Sequence, residues 1–467
     1  MSWSVAVEGR LESELRGHLL RVDGQEDICF ALWYPSRGAG RTTALITEAV
    51  WPREGERHVH GTASFEARYF LRAAELATER GAGLALMHSH PDGHGWQGMS
   101  TDDTNAERSH AAQALVVTGL PLAGLTLAGD NTWSARLWPK AGPREYRCEW
   151  CENMRVVGDG LSVSYNPKLL PVPPPNEALS RTVSAWGDAA QADLARLHIG
   201  IVGLGSVGSM VAEALARMGV ERITLMDFDK IQRHNLDRCL HAGPGDVGHP
   251  KVEVARRGLV VSATAAKPVI TPHRWSVVEE EGFRLALDCD VLFSCVDRPW
   301  PRAVLNLIAY AHLIPVVDGG IAVEASPRGL RRAHWKAHIA APGRRCLECN
   351  GQYDPGLVQA EREGRLDDPR YIESLPDDHP LRANENVFPF SMNVASLEVM
   401  QLIRMVIAPL GIADVGGEDY QFVQGRHSRD TAGREATCWY STRFVARGDS
   451  LAFSVTGPHP GAQAARE

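Results

Sequence analysis

The sequence predicts an α/β protein of two domains, a mixed α/β domain followed by an open parallel-sheet domain. Three observations predict it. Strand-like and helix-like runs alternate through the first third of the chain. The run Val172-Pro173-Pro174-Pro175 then interrupts all periodicity, because consecutive prolines cannot join a helix or an interior strand. Beyond it, strand, glycine turn, helix and strand recur as a dinucleotide-type βαβ unit. The boundaries implied are 1–165 for the first domain, 166–178 for a proline-rich linker and 179–467 for the second.

In the first domain, Leu11, Leu15, Leu19 and Leu20 share a helical spacing over 11–22. Residues 28–34 and 43–50 read as strands, 65–80 as a helix, 83–87 as a short buried strand and 103–116 as a helix. Residues 124–127 and 132–138 read as further strands. In the second domain, 198–202, 206–218 and 222–227 form the βαβ unit, and strand candidates 291–296 and 314–317 end beside Asp297 and Asp318. The stretch 342–389, polar and punctuated by prolines, reads as a long excursion or loop.

Composition narrows the function classes. The 467 residues are 44% hydrophobic and 23% charged, which is globular, and a net charge of −8 without a basic block argues against a nucleic-acid or acidic-membrane partner. No run has signal-peptide character or transmembrane length. Nine cysteines, an odd number scattered over a long chain, fit reduced thiols and a cytoplasmic location better than a disulfide framework.

The first candidate site is His88-Ser89-His90-Pro91, followed by Ser100 and Asp103 after a glycine-rich loop. Residues two apart at a strand end face the same way, so both imidazoles can reach one ion, and Asp103, opening the next helix, can fold back as a carboxylate ligand. Such a set leaves a fourth zinc position for water, whose pKa would fall to roughly 7. Ser100 is the candidate oxyanion donor and Glu26 the candidate base. Ser100-Thr101-Asp102-Asp103 is equally an ordinary helix N-cap pattern.

At these residues the chain resembles the JAMM (JAB/MPN) metalloprotease family over about 11–137. That family removes ubiquitin-like proteins or trims their C-terminal tails, and its pattern is an upstream Glu, His-Ser/Thr-His-Pro, then Ser-x-x-Asp. The resemblance implies Glu26 as base, His88, His90 and Asp103 as zinc ligands, and Ser100 as oxyanion donor. The loop from Pro91 to Ser100 is about two residues longer than usual, which keeps Asp102 as a rival to Asp103, and Glu48 stands as a rival to Glu26.

The second candidate site begins at Gly203-x-Gly205-x-x-Gly208, between a predicted strand and helix, with Asp227 placed 19 residues beyond Gly208 as a ribose-binding carboxylate. An NAD-dependent oxidoreductase fits this much. Asp229, Asn235, Arg238 and Lys251 suit a triphosphate better: Arg238 and Lys251 can neutralise phosphates, and Asp297 can hold magnesium. Asn235 and Arg238 also fit a role in satisfying their own loop.

This set resembles the ThiF/MoeB/HesA superfamily, which adenylates the C-terminal glycine of ubiquitin-like proteins, over about 178–410. The resemblance implies a Rossmann-like adenylation domain using ATP and Mg2+, with Asp227, Asp229, Asn235, Arg238, Lys251 and Asp297 at the nucleotide. It also implies that Arg181 reaches into a partner subunit's site, hence a homodimer. Cys239 stands where many members have Gln.

Cys346-x-x-Cys349 lies where relatives of that kind carry zinc ligands or a thioester cysteine. A second Cys-x-x-Cys near the C-terminus is missing, only Cys438 remaining there. The preferred assignment completes a four-cysteine zinc (Zn2+) site with Cys148-x-x-Cys151, clipping the two domains. A thioester role for Cys346 or Cys349 stays open.

Together these readings imply a bifunctional zinc peptidase and adenylating enzyme acting on the C-terminal Gly of a ubiquitin-like or sulfur-carrier protein. A conjugating enzyme or a sulfur donor would be a further partner. The alternatives are sulfur transfer for cofactor biosynthesis, an NAD-binding protein, or a scaffold with a degenerate hydrolase domain.

Overall fold

A computed structural model describes residues 1–326, 328–375, 385–433 and 435–467. The chain divides into two compact units: one comprises 1–172, 311–313 and 444–452, and the other 173–310, 314–443 and 453–467.

The first unit is built on a nine-stranded sheet. From one edge to the other its strands are Glu149–Trp150, Trp133–Trp138, Leu122–Ala128, Gly83–His90, Ile28–Arg37, Arg41–Val50, Ser2–Glu8, Asn153–Val157 and Leu161–Tyr165. Near-continuous apolar runs bury both faces of the central strands. Leu32, Leu84 and Leu86 face the helices Ala67–Arg80 and Thr101–Thr118, through Phe70, Ala73, Ala111 and Ala114. Trp33, Ala85 and Met87 face the other way, onto Leu15 and Leu19 of the helix Gly9–Leu19. Strand alternation thus decides which side chains of Gly83–His90 look toward Thr101–Thr118. The expected elements of this unit are present within a few residues, but the strands Ser2–Glu8, Asn153–Val157 and Leu161–Tyr165 were not expected. Ser2–Glu8 joins the sheet by parallel pairing with Arg41–Val50 on one side and Asn153–Val157 on the other, and Leu161–Tyr165 pairs antiparallel at the edge.

The second unit holds an eight-stranded sheet ordered Val269–His273, Arg222–Met226, His198–Val202, Val291–Ser294, Val316–Ser326, Gly329–Ala340, Gly417–Gln421 and Arg426–Asp430. The first five strands are parallel and the last three extend the sheet antiparallel. His198–Val202 lies between Arg222–Met226 and Val291–Ser294, so the chain reverses its direction of travel across the sheet above that strand, where open α/β sheets bind ligands.

Three expectations are corrected. The strand expected at 314–317 runs on to Ser326 and turns into a long hairpin with Gly329–Ala340. The stretch 342–389 is not structureless: it carries the helices Pro355–Arg362 and Pro369–Ser374 and opens the helix Phe388–Ile407, each with a proline in its first turn, while 376–384 lie outside the described residues. The 20-residue helix Phe388–Ile407 is long and apolar enough to cross a membrane by length and composition alone. Its Phe390, Val394 and Leu397 pack instead against Val323, Trp335 and Ala337 of the hairpin.

Candidate functional site

His88 and His90 end the strand Gly83–His90, and Asp103 occupies the first turn of Thr101–Thr118. One ligand atom from each lies within 4.8 Å of the others. Asp103 presents Oδ1 at 3.5 Å from His88 Nε2 and Oδ2 at 3.7 Å from His90 Nε2, and the two Nε2 atoms are 3.2 Å apart. Burial, with Arg136 nearby, holds the His88 pKa down at about 3, so its ring is neutral and its lone pair available. The adjacent His90 imidazole holds Asp103 well below the usual carboxylate range, and the Asp103 carboxylate in turn raises His90.

Of the two aspartates weighed, Asp103 joins the histidines and Asp102 is exposed outside the group. Ser100 is the N-cap. Its Oγ accepts the Asp103 N–H at 3.0 Å, and Asp103 Oδ2 accepts the Ser100 N–H at 2.9 Å, so the capping box is also what aims Asp103 at the imidazoles. Among the described residues the Ser100 hydroxyl donates to no acceptor. Glu26 precedes the strand Ile28–Arg37 and feels His90 and Asp103; burial, the larger effect, raises its carboxyl. Glu48 lies within the strand Arg41–Val50, opposite Leu32.

Beneath the histidines lies a polar network that the sequence did not reveal. Arg136 Nε donates to Glu107 Oε2 at 3.0 Å and its NH1 to Thr126 Oγ1 at 2.7 Å, while Thr126 Oγ1 is 3.4 Å from His88 Nε2. Trp138 Nε1 donates to the same Glu107 oxygen at 2.6 Å, and both charged side chains are buried. A Cβ at Gly124 would push the Glu107 carboxylate away from its place beside Arg136. Glu107 follows Asp103 by one helical turn, so one helix face supplies both carboxylates.

In the second unit, Gly203 adopts φ 91° after His198–Val202, and a Cβ there would meet the Cys295 carbonyl oxygen at 2.5 Å. Gly205 caps the helix Ser206–Arg217, and a Cβ on Gly208 would strike the Gly203 carbonyl, so strand and helix can approach this closely only with glycine at both places. Asp227 is buried at the end of Arg222–Met226. Its Oδ2 accepts the Leu204 N–H at 2.7 Å and its Oδ1 the Asp229 N–H at 2.8 Å, which ties the carboxylate to the glycine turn. Burial raises Asp227, and Lys251, 3.9 Å away, opposes the shift.

Asn235 and Arg238 do make loop contacts. Asn235 Oδ1 accepts the Gln232 N–H at 2.9 Å, and Arg238 NH1 donates to Asp237 at 2.9 Å and to the His234 carbonyl. Asp297 is exposed just past Val291–Ser294, and Arg181 is exposed on the short helix Ser180–Trp186.

The cysteine assignment is corrected. Cys151 is buried in the same cluster as Met154, Trp133 and Leu137 on one face of the nine-stranded sheet, whereas the half-buried Cys148 packs against the cluster of the opposite face. Among the described residues, Cys148 and Cys151 form no ligand cluster. Cys346 and Cys349 are joined instead by Cys438, all three Sγ atoms lying within 4.8 Å, with Cys438 and Cys346 at 3.6 Å. Cys346 Sγ also accepts the Cys349 N–H at 3.3 Å, and Ser441 stands three residues past Cys438, where a second Cys-x-x-Cys would have its other cysteine. Cys438, the cysteine that stands in the sequence where a second pair would be, is thus the third member of the cluster.

Among curated proteins, the chain is similar to the molybdopterin-synthase adenylyltransferase of Escherichia coli (strain K12), 36% identical over 26% of this chain and 47% of that protein. It is 33% identical to the tRNA threonylcarbamoyladenosine dehydratase of the same strain, over 40% of this chain and 69% of that protein. It is 30% identical to the ubiquitin-like modifier-activating enzyme 5 of Drosophila mojavensis, over 27% of this chain and 34% of that protein. The chain thus spans about half the length of the first of these relatives and a third of the last. Residues 179–425, more than half of the chain and including the glycine turn, Asp227, Lys251 and the Cys346–Cys349 pair, match the ThiF family, and the chain belongs to that family.

Proposed function

We propose that the second unit adenylates the C-terminal glycine of a ubiquitin-like or sulfur-carrier protein. The observation that carries this reading is the junction of Asp227 with the glycine turn and Lys251, a carboxylate for ribose hydroxyls beside donors for phosphate. The names of the adenylyltransferase and activating-enzyme relatives support it. A tail carboxylate oxygen attacks the α-phosphorus of ATP, the bond to the bridging oxygen breaks, and pyrophosphate leaves. Amide N–H groups of the turn and the start of Ser206–Arg217 hold phosphate oxygens, and Lys251 and Arg238 neutralise charge on the leaving group. Asp297, an exposed carboxylate, would hold magnesium. In this reading Arg181 serves the site of a second copy in a homodimer.

The first unit we read as a JAMM-type zinc peptidase acting on the same tail. Two neutralisable imidazoles and a carboxylate whose ligand atoms converge within 4.8 Å suit zinc. When bound there, zinc supplies electrophilic polarisation of the scissile carbonyl. Glu26 takes a proton from the attacking water and passes it to the leaving amine, and the Ser100 hydroxyl donates to the developing oxyanion. The Cys346, Cys349 and Cys438 thiols fit a structural zinc, with the fourth position unassigned. In a variant of this reading, a sulfur nucleophile rather than a conjugating enzyme attacks the acyl carbon of the adenylate, and AMP leaves.

The test is intact mass spectrometry of a ubiquitin-like protein carrying residues beyond its terminal Gly-Gly, incubated with the zinc-loaded enzyme and magnesium ATP. Trimming to the glycine plus an AMP-sized adduct is expected. Glu26→Ala should block the trimming and leave adenylation of a pre-trimmed tail. An unchanged mass for an established partner would sink the proposal.

A further inference from the structure

The last fifteen residues of the chain fold back onto the second unit along one line of contacts. Trp300 Nε1 donates to the Val455 carbonyl at 2.9 Å, the Gly457 N–H donates to the Val278 carbonyl at 2.8 Å, and Thr456 Oγ1 donates to Glu280 at 3.0 Å. Arg466 pairs with Glu279 at 2.6 Å and lies over the Trp275 ring at 3.9 Å. His459 Nδ1 accepts the Ala462 N–H at 3.0 Å, which caps the helix Pro460–Arg466 and fixes the imidazole.

These contacts present His459 to two aromatic rings. Its ring centroid is 4.9 Å from Phe228 and 6.2 Å from Trp300, and it is within 20° of parallel to the latter. Phe228 immediately follows Asp227 at the end of Arg222–Met226, and Trp300 stands three residues past Asp297 beyond Val291–Ser294. Those two strands flank His198–Val202 on either side, so their loops are the two walls of the crevice above the glycine turn. With phosphates at the turn and ribose on Asp227, the base of a nucleotide points outward between these walls. Burial lowers His459, so its ring is neutral at pH 7 and suited to stacking.

We infer that the C-terminal segment 453–467 is the third wall of the nucleotide site and that His459 is the side chain on which the base stacks, making it a specificity-determining residue. This rests on the reading of the second unit as a nucleotide site.

The test measures dissociation constants of the full chain for magnesium ATP and for magnesium tripolyphosphate, which has no base. His459→Ala is expected to weaken ATP about tenfold or more, the loss of one stacked base, and to leave tripolyphosphate unchanged. His459→Phe, which keeps a stacking ring, should restore ATP affinity, and removal of 453–467 should weaken ATP at least as much as His459→Ala. Equal ATP affinity of His459→Ala and wild type would overturn the inference while leaving the site reading intact. So would tighter ATP binding by the truncated chain, which would make the segment a blocking strap, or an equal loss for tripolyphosphate, which would make its role structural. A wild-type chain that binds neither ligand would overturn the site reading itself and the inference with it.

Discussion

Lys251 is held twice by Asp229: its Nζ lies 2.7 Å from Asp229 Oδ2 and its backbone N–H donates to the Asp229 carbonyl at 2.9 Å. The ammonium is therefore parked on an exposed carboxylate beside the glycine turn, at the first position of the helix Lys251–Ser262. A triphosphate entering the turn offers it a stronger partner. Lys251→Ala should lower pyrophosphate exchange by about 10² to 10³, the cost of one charge-stabilising donor, while peptide cleavage by the first unit continues. Loss of both activities would contradict two independent sites.

Metal content separates the two donor clusters. The wild-type chain should carry two zinc ions by elemental analysis. Asp103→Ala should remove the one at His88 and His90, and Cys438→Ser the one at Cys346 and Cys349. One zinc in the wild type, retained in Cys438→Ser, would leave the cysteines without a metal role.

Glu107 and Arg136 form a buried pair under the histidines, so removing one partner strands the other charge in the core. Glu107→Ala should destabilise the first unit by about 3–5 kcal/mol and should also weaken zinc binding, since the same helix positions Asp103. Chemical denaturation and zinc titration check both; a change below about 1 kcal/mol would contradict the pairing.

Burial pushes Glu361 up to about 7, although its Oε2 accepts the Trp300 N–H at 2.8 Å. The folded state then keeps a proton that the unfolded chain releases near pH 4.5. The stability tied to that proton is present below pH 4.5 and is lost as pH rises to about 7, flat beyond, and bounded at about 3 kcal/mol by 1.36 kcal/mol per pKa unit. Glu361→Gln keeps an acceptor for Trp300 but cannot titrate. The wild type should therefore lose stability relative to the variant between pH 5 and 7, as read from unfolding midpoints, and parallel curves would refute it.

Short-range relationships are legible in the chain without its fold. Short apolar runs mark the strands, the close approach of Gly203 and Gly208 forces glycine into the strand-to-helix turn, and Ser100 with Asp103 writes its own capping box. His88 and His90 could be paired by strand alternation alone. Folding set the relationships that local periodicity does not encode. It put Cys438 rather than Cys148 and Cys151 beside Cys346, because sheet faces, and not motif spacing, decide where a thiol points. It buried Glu107 against Arg136, and it returned His459 to Phe228 and Trp300. Each of these pairings comes from strand order and chain return, which bring together side chains from separate elements of the fold.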